Sequence, residues 1–495
     1  MIEKEIVSRF RSCFRSAPQA MARVPGRINL MGRHVDHQGG NVNLLTIDRH
    51  IIVAARCANG KAFRFRNVDD TTYPDFDFKL SDLDLDHHVD WKHQISRPHI
   101  AAWRDGIPLW TRYLVGAALR LCREIRAPLP GMEVMVHGNL PAAAGLSSSS
   151  ALTLGFVLSA NAMLNLGLER DRLIELTGEA EWFSGVIGGA CAPAAMLSSA
   201  PGRLVRVGFF PFQIAGTHLF PDQLEIVLAN SHEAAVKGEQ ARDEYNWRVA
   251  TYRLAFVLLE RVQPDWFERV RHLRDLDPET LNVPPAEVYR SMIDLPERIS
   301  REEMSRSYPE QFQRLVGILS DHTEPTDGYP VRDILMYGLS EMARSARIGM
   351  LLDGGDHTAL GHWITCSHDG DRVSRQVNGQ RRGWRSPVLS NQFLSRLAEA
   401  AEAGDQSSDL TQQSGAYSAS TYNVDEMVDL CNEVDGCLGA QIIGAGFGGA
   451  MIALVRKGVA KAVIECLEKS YFEPRGLPVE AWQMVPSDRA KVQIL

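Results

Sequence analysis

From Leu140 to Leu152 the chain reads Leu-Pro-Ala-Ala-Ala-Gly-Leu-Ser-Ser-Ser-Ser-Ala-Leu. Small side chains at Ala143, Ala144 and Gly145 would let backbone N–H groups close on an anion, with Leu146 leading into the hydroxyls of Ser147, Ser148 and Ser149. A helix opening at those serines would turn its positive end toward the anion, so the segment can cradle the phosphates of a nucleotide. It is not a Walker A loop, since G-x-x-x-x-G-K-[ST] occurs nowhere in the chain. Ser-rich helix starts also serve as plain caps, and the segment alone leaves both uses open.

Two further segments narrow the choice. Residues 25–40 read Pro-Gly-Arg-Ile-Asn-Leu-Met-Gly-Arg-His-Val-Asp-His-Gln-Gly-Gly, and residues 443–450 read Ile-Gly-Ala-Gly-Phe-Gly-Gly-Ala. In this order the three resemble the three motifs of the GHMP small-molecule kinases. The first is similar to the galactokinase pattern G-R-x-N-L-x-G-E-H-x-D-Y-x-x-G. Trp110-Thr-Arg-Tyr113-Leu-Val-Gly116 resembles the galactokinase helix W-x-x-Y-x-x-G, which helps form the adenine pocket. Asn230-Ser-His, Lys237 and Glu244-Tyr245-Asn-Trp-Arg248 resemble the segment with a phosphate-side cation and a sugar-contacting tyrosine. Tyr417-Ser-Ala-Ser420 followed by Asp425 resembles the helix entry before the third motif. Stretches 255–345 and 370–412 have no obvious counterpart and read as insertions.

The resemblance implies an ATP- and Mg²⁺-dependent kinase acting on a sugar or sugar acid, most plausibly at the anomeric hydroxyl. It puts Ser149 and Glu181 on the metal, with Glu179 near enough to compete, and Arg27 and Lys237 on the phosphates. His34, Asp36 and Tyr245 would contact sugar hydroxyls. Two departures stand out. Arg33 replaces the pattern's Glu, and the reversed charge would suit an anionic substrate such as a uronic acid, unless Arg33 turns away to tie down a neighbouring loop. Plant galacturonokinases also lack that Glu and share Asp36-His37-Gln38-Gly39-Gly40. The second departure is Ala192-Pro193 where the family has Asp-Gln, which removes the usual catalytic base. General-base assistance contributes about 10²–10⁴-fold, whereas metal and cations supply much of phosphoryl transfer without it. Homoserine kinases of the same superfamily resemble this condition. A non-catalytic sensor that binds ATP and sugar is the competing reading.

The elements that must position these residues follow from periodicity. Residues 1–20 pattern as an amphipathic helix. Strands are expected from Arg23, at 41–48, at 51–57, and at 132–137 directly before the Ser-rich loop, with others at 202–207 and 224–229. Residues 241–262 predict one long helix, 263–330 short helices forming a surface cap or oligomer contact, and 403–416 a flexible loop. The fold class is α+β, with lobes over 1–225 and 226–495 and the active site in the cleft of a two-lobed GHMP kinase fold. A chain of 495 residues with 45% hydrophobic and 23% charged residues supports two such cores. Its net charge of −8 disfavours nucleic acid and anionic membranes as partners. The longest apolar runs are too short to span a bilayer, and no secretory signal opens the chain. Eight scattered cysteines without a C-x-x-C pair suit reduced thiols in the cytoplasm. Asp86-His87-His88 and His93 lack the companion ligands of a metal site, and nothing sets an oligomeric state.

Overall fold

Eleven of the sixteen positions from Val42 to Cys57 are apolar or β-branched, and the computed structural model forms them into one 16-residue strand. The sequence suggested two strands, 41–48 and 51–57, parted by polar Arg49-His50. The backbone bridges that interruption because Asp48 donates to the Val485 carbonyl at 2.9 Å and His50 donates to Asn139 Oδ1 at 2.9 Å. The structure describes residues 2–83, 89–141, 144–185, 189–233, 239–384, 386 and 388–495. Asp86-His87-His88, Ala143 and Lys237 therefore lie outside the described residues.

The chain divides into two compact units: residues 1–28, 44–205 and 485–495 form the first, and 29–43 with 206–484 the second. In the first unit, strands run in the order Lys491–Ile494, Ala20–Met31, Val42–Cys57, Met132–Gly138, Ala62–Asn67 and Phe76–Lys79. The C-terminal strand pairs antiparallel with the start of Ala20–Met31, Ala20 facing Ile494. Helix Ile2–Phe14 lays Ile6 and Phe10 on Ile52, Ala54 and Met135. Strand Met132–Gly138 leads into the Ser-rich loop, and helix Ser148–Met163 leaves it.

The second unit carries an antiparallel sheet ordered Cys437–Ile442, Ala450–Arg456, Leu224–Asn230 and Ala481–Met484. Helices Tyr422–Asn432 and Ala460–Leu467 cover it through Val424, Val428 and Val463. Its second core is helical. Helix Glu239–Val262 packs with Pro285–Ile293 and Val331–Gly354 around Tyr252, Leu258, Tyr289, Met292, Leu335 and Tyr337, all essentially buried. Residues 263–330, expected as a surface cap or oligomer contact, instead contribute Leu273, Leu281, Tyr289, Met292 and Leu315 to the core of this unit.

Residues 403–416, expected as a flexible loop, are held in place. Arg344 donates to the carbonyls of Thr411 (3.1 Å) and Gln413 (2.6 Å), Arg347 bonds both carboxylate oxygens of Asp409 at 3.1 and 2.9 Å, and the Tyr289 hydroxyl donates to the Ser408 carbonyl. Asp405 and Asp409 cap two short turns. Polar composition suggested solvent, but here the polar groups serve as anchors. Arg344 and Glu341 are a fully buried pair 3.0 Å apart. Arg344→Leu would strand the Glu341 charge and two carbonyls, so urea denaturation should show a loss of about 3–5 kcal/mol. Protease should then cut within 403–416 in the variant and spare the native chain.

Candidate active site

On the phosphate side, within the first unit, Arg27 sits on strand Ala20–Met31 and donates through Nη1 to the Gly145 carbonyl at 3.1 Å, while its backbone N–H donates to Leu146 at 3.2 Å. Ala144 and Leu146 are buried beneath the loop. Gly145 at φ 71° and Ser147 at φ 59° turn the chain sharply into helix Ser148–Met163. Ser147 does not cap that helix with its side chain, so the first-turn N–H groups are not claimed by it.

Glu181 ends helix Arg170–Glu181 and bonds the hydroxyls of Ser150 and Ser149. Loss of hydration lifts its carboxyl to about 7, against the pull of both hydroxyls and of Arg27. Ser148 is partly exposed beside them. The Tyr113 hydroxyl, on helix Leu109–Ile125, also reaches Ser149. The competing Glu179 is bound by Arg120 Nε at 2.6 Å, which leaves Glu181 as the carboxylate at the loop. Trp110 is buried, donating its indole N–H to the Pro74 carbonyl at 3.1 Å. Ala192 and Pro193 are buried in helix Cys191–Ser198, where neither side chain can accept a proton.

On the sugar side, within the second unit, Gly32 adopts φ 96°, and a Cβ there would lie 2.1 Å from the Asn41 carbonyl. Only glycine allows that approach. Glu341 accepts from the backbone N–H of Gly32 at 2.7 Å and of Arg33 at 3.1 Å. The Arg33 side chain is fully buried: Nε and Nη2 donate to Asp371 Oδ2 at 3.2 and 2.8 Å, Nη2 to Ser367 Oγ at 3.0 Å, and Nη1 to Gln441 Oε1. Four of the guanidinium's five donors are thus taken by the protein itself. This geometry corresponds to the tying-down alternative and leaves little charge to offer a substrate anion. Burial pushes the Asp371 carboxyl up, but Arg33 and His34 together hold it below its ordinary value.

His34, at φ 59°, stacks on Tyr417 with ring centroids 4.2 Å apart. Its Nε2 lies 3.7 Å from Asp371 Oδ1, and burial depresses its pKa to about 4 in spite of that carboxylate. Asp36 opens the turn Asp36–Gln38, and Tyr245 in helix Glu239–Val262 comes to 6.2 Å, ring to ring, from His37. Tyr252, Tyr337 and Tyr417 form a wall, with Tyr417 centred 5.9 Å from Tyr252 and 5.0 Å from Tyr337. Five buried polar atoms here have no hydrogen-bond partner among the described residues: His34 Nε2, His37 Nε2, Tyr252 Oη, Tyr417 Oη and Asp371 Oδ1. Such atoms are costly to leave unmade. Asp371, Glu341, Tyr252 and Tyr337 were not singled out in the sequence, because Arg33 does not reveal which of 61 acidic residues neutralises it and Tyr417 was read only as part of a helix entry.

The pattern of the GHMP kinases N terminal domain matches residues 112–199, that of the GHMP kinases C terminal domain residues 389–473, and the galactokinase galactose-binding signature residues 8–57. The chain is 24% identical to a galactokinase of Dictyostelium discoideum over 462 residues, 91% of this chain and 83% of that one. It is 24% identical to a galactokinase of Roseiflexus sp. (strain RS-1) over 477 residues, 95% and 92% of the two chains. Its fold superposes on a crystal structure of Lactococcus lactis galactokinase complexed with galactose at a TM-score of 0.66, with 19% identity and 99% of each chain covered. The chain thus carries the N- and C-terminal domains of GHMP kinases and the galactose-binding signature of galactokinases, on a fold shared with a galactokinase over nearly its whole length.

Proposed function

We propose that this chain is an ATP-dependent sugar kinase of the galactokinase type, transferring the γ-phosphoryl group to the anomeric hydroxyl of a neutral hexose, galactose first. The observation that carries the reading is the set of unpartnered buried polar atoms beside a segment that matches a galactose-binding signature. His34, Asp36 and Tyr245 bind sugar hydroxyls. Arg27 and Lys237 neutralise the phosphates, and the N–H groups at the start of helix Ser148–Met163, behind Gly145, hold them. Trp110 walls the adenine. Ser149 and Glu181 fit a divalent cation, because the carboxylate is dehydrated beside hydroxyls and its raised pKa marks a place short of positive charge. Mg²⁺ held there would neutralise charge on the transferring phosphoryl group.

A uronic acid is the less favoured substrate because Arg33 is already engaged by Asp371, Ser367 and Gln441. The eight free cysteines suit a reducing cytoplasm. Incubation with ATP, Mg²⁺ and galactose should release ADP and yield a sugar 1-phosphate visible by NMR, with galacturonate slower. Tight sugar and ATP binding with no ADP from any sugar would replace the kinase by the sensor.

Gly145→Val should abolish ATP binding by calorimetry, because a β-branched residue strongly disfavours φ 71° and would crowd the phosphates. Glu181 gives a separate check through pH. Its carboxyl rises from 4.5 to about 7 on folding, so its stabilising contribution is complete below the unfolded value and is lost as pH rises through 7. Glu181→Gln should therefore melt above the native chain at about pH 8 and close to it below about pH 5. Mg²⁺ should raise the melting temperature of the native chain at the higher pH and leave the variant unmoved.

A further inference from the structure

Helix Glu239–Val262 carries, one turn beyond Tyr245, a buried cation that the site described above does not use. Arg248 donates Nε to the Tyr417 carbonyl at 2.6 Å and Nη2 to the Ser418 carbonyl at 2.7 Å. Its Nη1 donates to the Glu244 carbonyl and to Glu244 Oε2 at 2.6 and 2.7 Å. Four of the five guanidinium donors are thereby engaged. The group also lies 4.0 Å from the centre of the Trp247 ring and 5.0 Å from that of Phe447, which belongs to the glycine-rich segment 443–450. Every residue in this set of contacts lies in the second unit.

A planar fork suits this place. Ser418 holds φ 57° and Phe447 φ 60°, left-handed conformations that residues other than glycine keep only when their surroundings hold them. Arg248 binds the carbonyls on both sides of the Ser418 α-carbon, while Phe447 donates its N–H to the Ala419 carbonyl at 2.7 Å. From the opposite side, the N–H groups of Tyr417 and Ser418 donate to the Gly370 carbonyl at 2.7 and 3.0 Å, and that of Ser420 donates to the Asp371 carbonyl at 2.8 Å. The bend is gripped from two directions. What it fixes is the Tyr417 ring, on which His34 stacks with centroids 4.2 Å apart. The same guanidinium holds Glu244, the neighbour of Tyr245, so one cation joins two elements that carry residues of the sugar side.

We propose that Arg248 is a positioning residue for sugar binding, holding the turn that carries Tyr245 and the Tyr417 bend that backs His34 in register with each other. It acts through these two elements and touches no ligand itself. The proposal rests on the sugar-site reading above, in which His34 and Tyr245 bind hydroxyls. Lysine cannot replace it, because an ammonium offers its donors from a single point and cannot span three carbonyls and a carboxylate.

The test uses the full chain, with galactose and ATP affinities measured separately by calorimetry. Arg248→Lys keeps the charge and the apolar stem, and should weaken galactose binding by about 10–100-fold, the equivalent of one charge-assisted hydrogen bond. ATP affinity should hold, and in turnover the loss should fall on the galactose KM rather than on kcat. Guanidinium added below denaturing concentrations should restore part of the galactose affinity of Arg248→Ala and leave the native value alone. Glu244 is a milder probe, its side chain being 42% exposed. Glu244→Ala removes the carboxylate from Nη1 and should weaken galactose binding by a smaller factor, which decides the matter if neither Arg248 variant folds. Native galactose affinity in a folded Arg248→Lys or, failing that, in Glu244→Ala overturns the proposal. So does equal loss of galactose and ATP binding without guanidinium rescue, which makes Arg248 a general support of the fold. A native chain that binds no galactose removes the sugar-site reading itself, a result distinct from native binding indifferent to position 248.

Discussion

A guanidinium with no access to water must be neutralised where it lies, and the buried pairing of Arg33 with Asp371 sets the terms for the whole sugar side. Reversing the family's charge at position 33 would be ruinous without an acid to meet it. Asp371 meets it from helix His357–Asp371, and Glu341, from helix Val331–Gly354, receives the adjoining backbone N–H groups. Burial pushes both carboxyls up, yet Arg344 and Arg33 hold Glu341, and Arg33 and His34 hold Asp371, below their ordinary values. The loop that carries His34, Asp36 and His37 is thereby clamped at its root, and Asn43 adds a bond to the Ser345 carbonyl at 2.9 Å. Residues of two helices distant in sequence thus support this loop.

The phosphate side obeys a different rule. There the charges are left incompletely answered: a helix start that Ser147 does not cap with its side chain, and a carboxylate raised to about 7 by dehydration. A pocket for nucleotide and cation needs groups that gain most when the ligand arrives, which is the condition for preorganised electrostatic catalysis.

Much of this was legible in the residues. The strand-loop-helix order around 140–152, the turn at Gly145 and the long helix ending at Val262 follow from local pattern, because turn chemistry and amphipathic periodicity are properties of neighbouring residues. What failed was long-range. The polar stretch 403–416 looks like solvent-facing loop until Arg344, some seventy residues earlier in the chain, is brought beneath it. Position 33 looks like a specificity switch until Asp371, 338 residues away, claims it. Arg49-His50 looks like a break until Val485 and Asn139 bond across it. In each case a polar residue found a protein partner that no spacing rule could name.

The claim that Arg33 is a structural cation answered by Asp371 is tested most directly by a double-mutant cycle in urea. Arg33→Met and Asp371→Leu should each cost about 3–5 kcal/mol by stranding the other's charge, and the double variant should recover most of that loss. Additive losses, or an Arg33→Met chain as stable as the native one, would contradict the account and return Arg33 to the substrate.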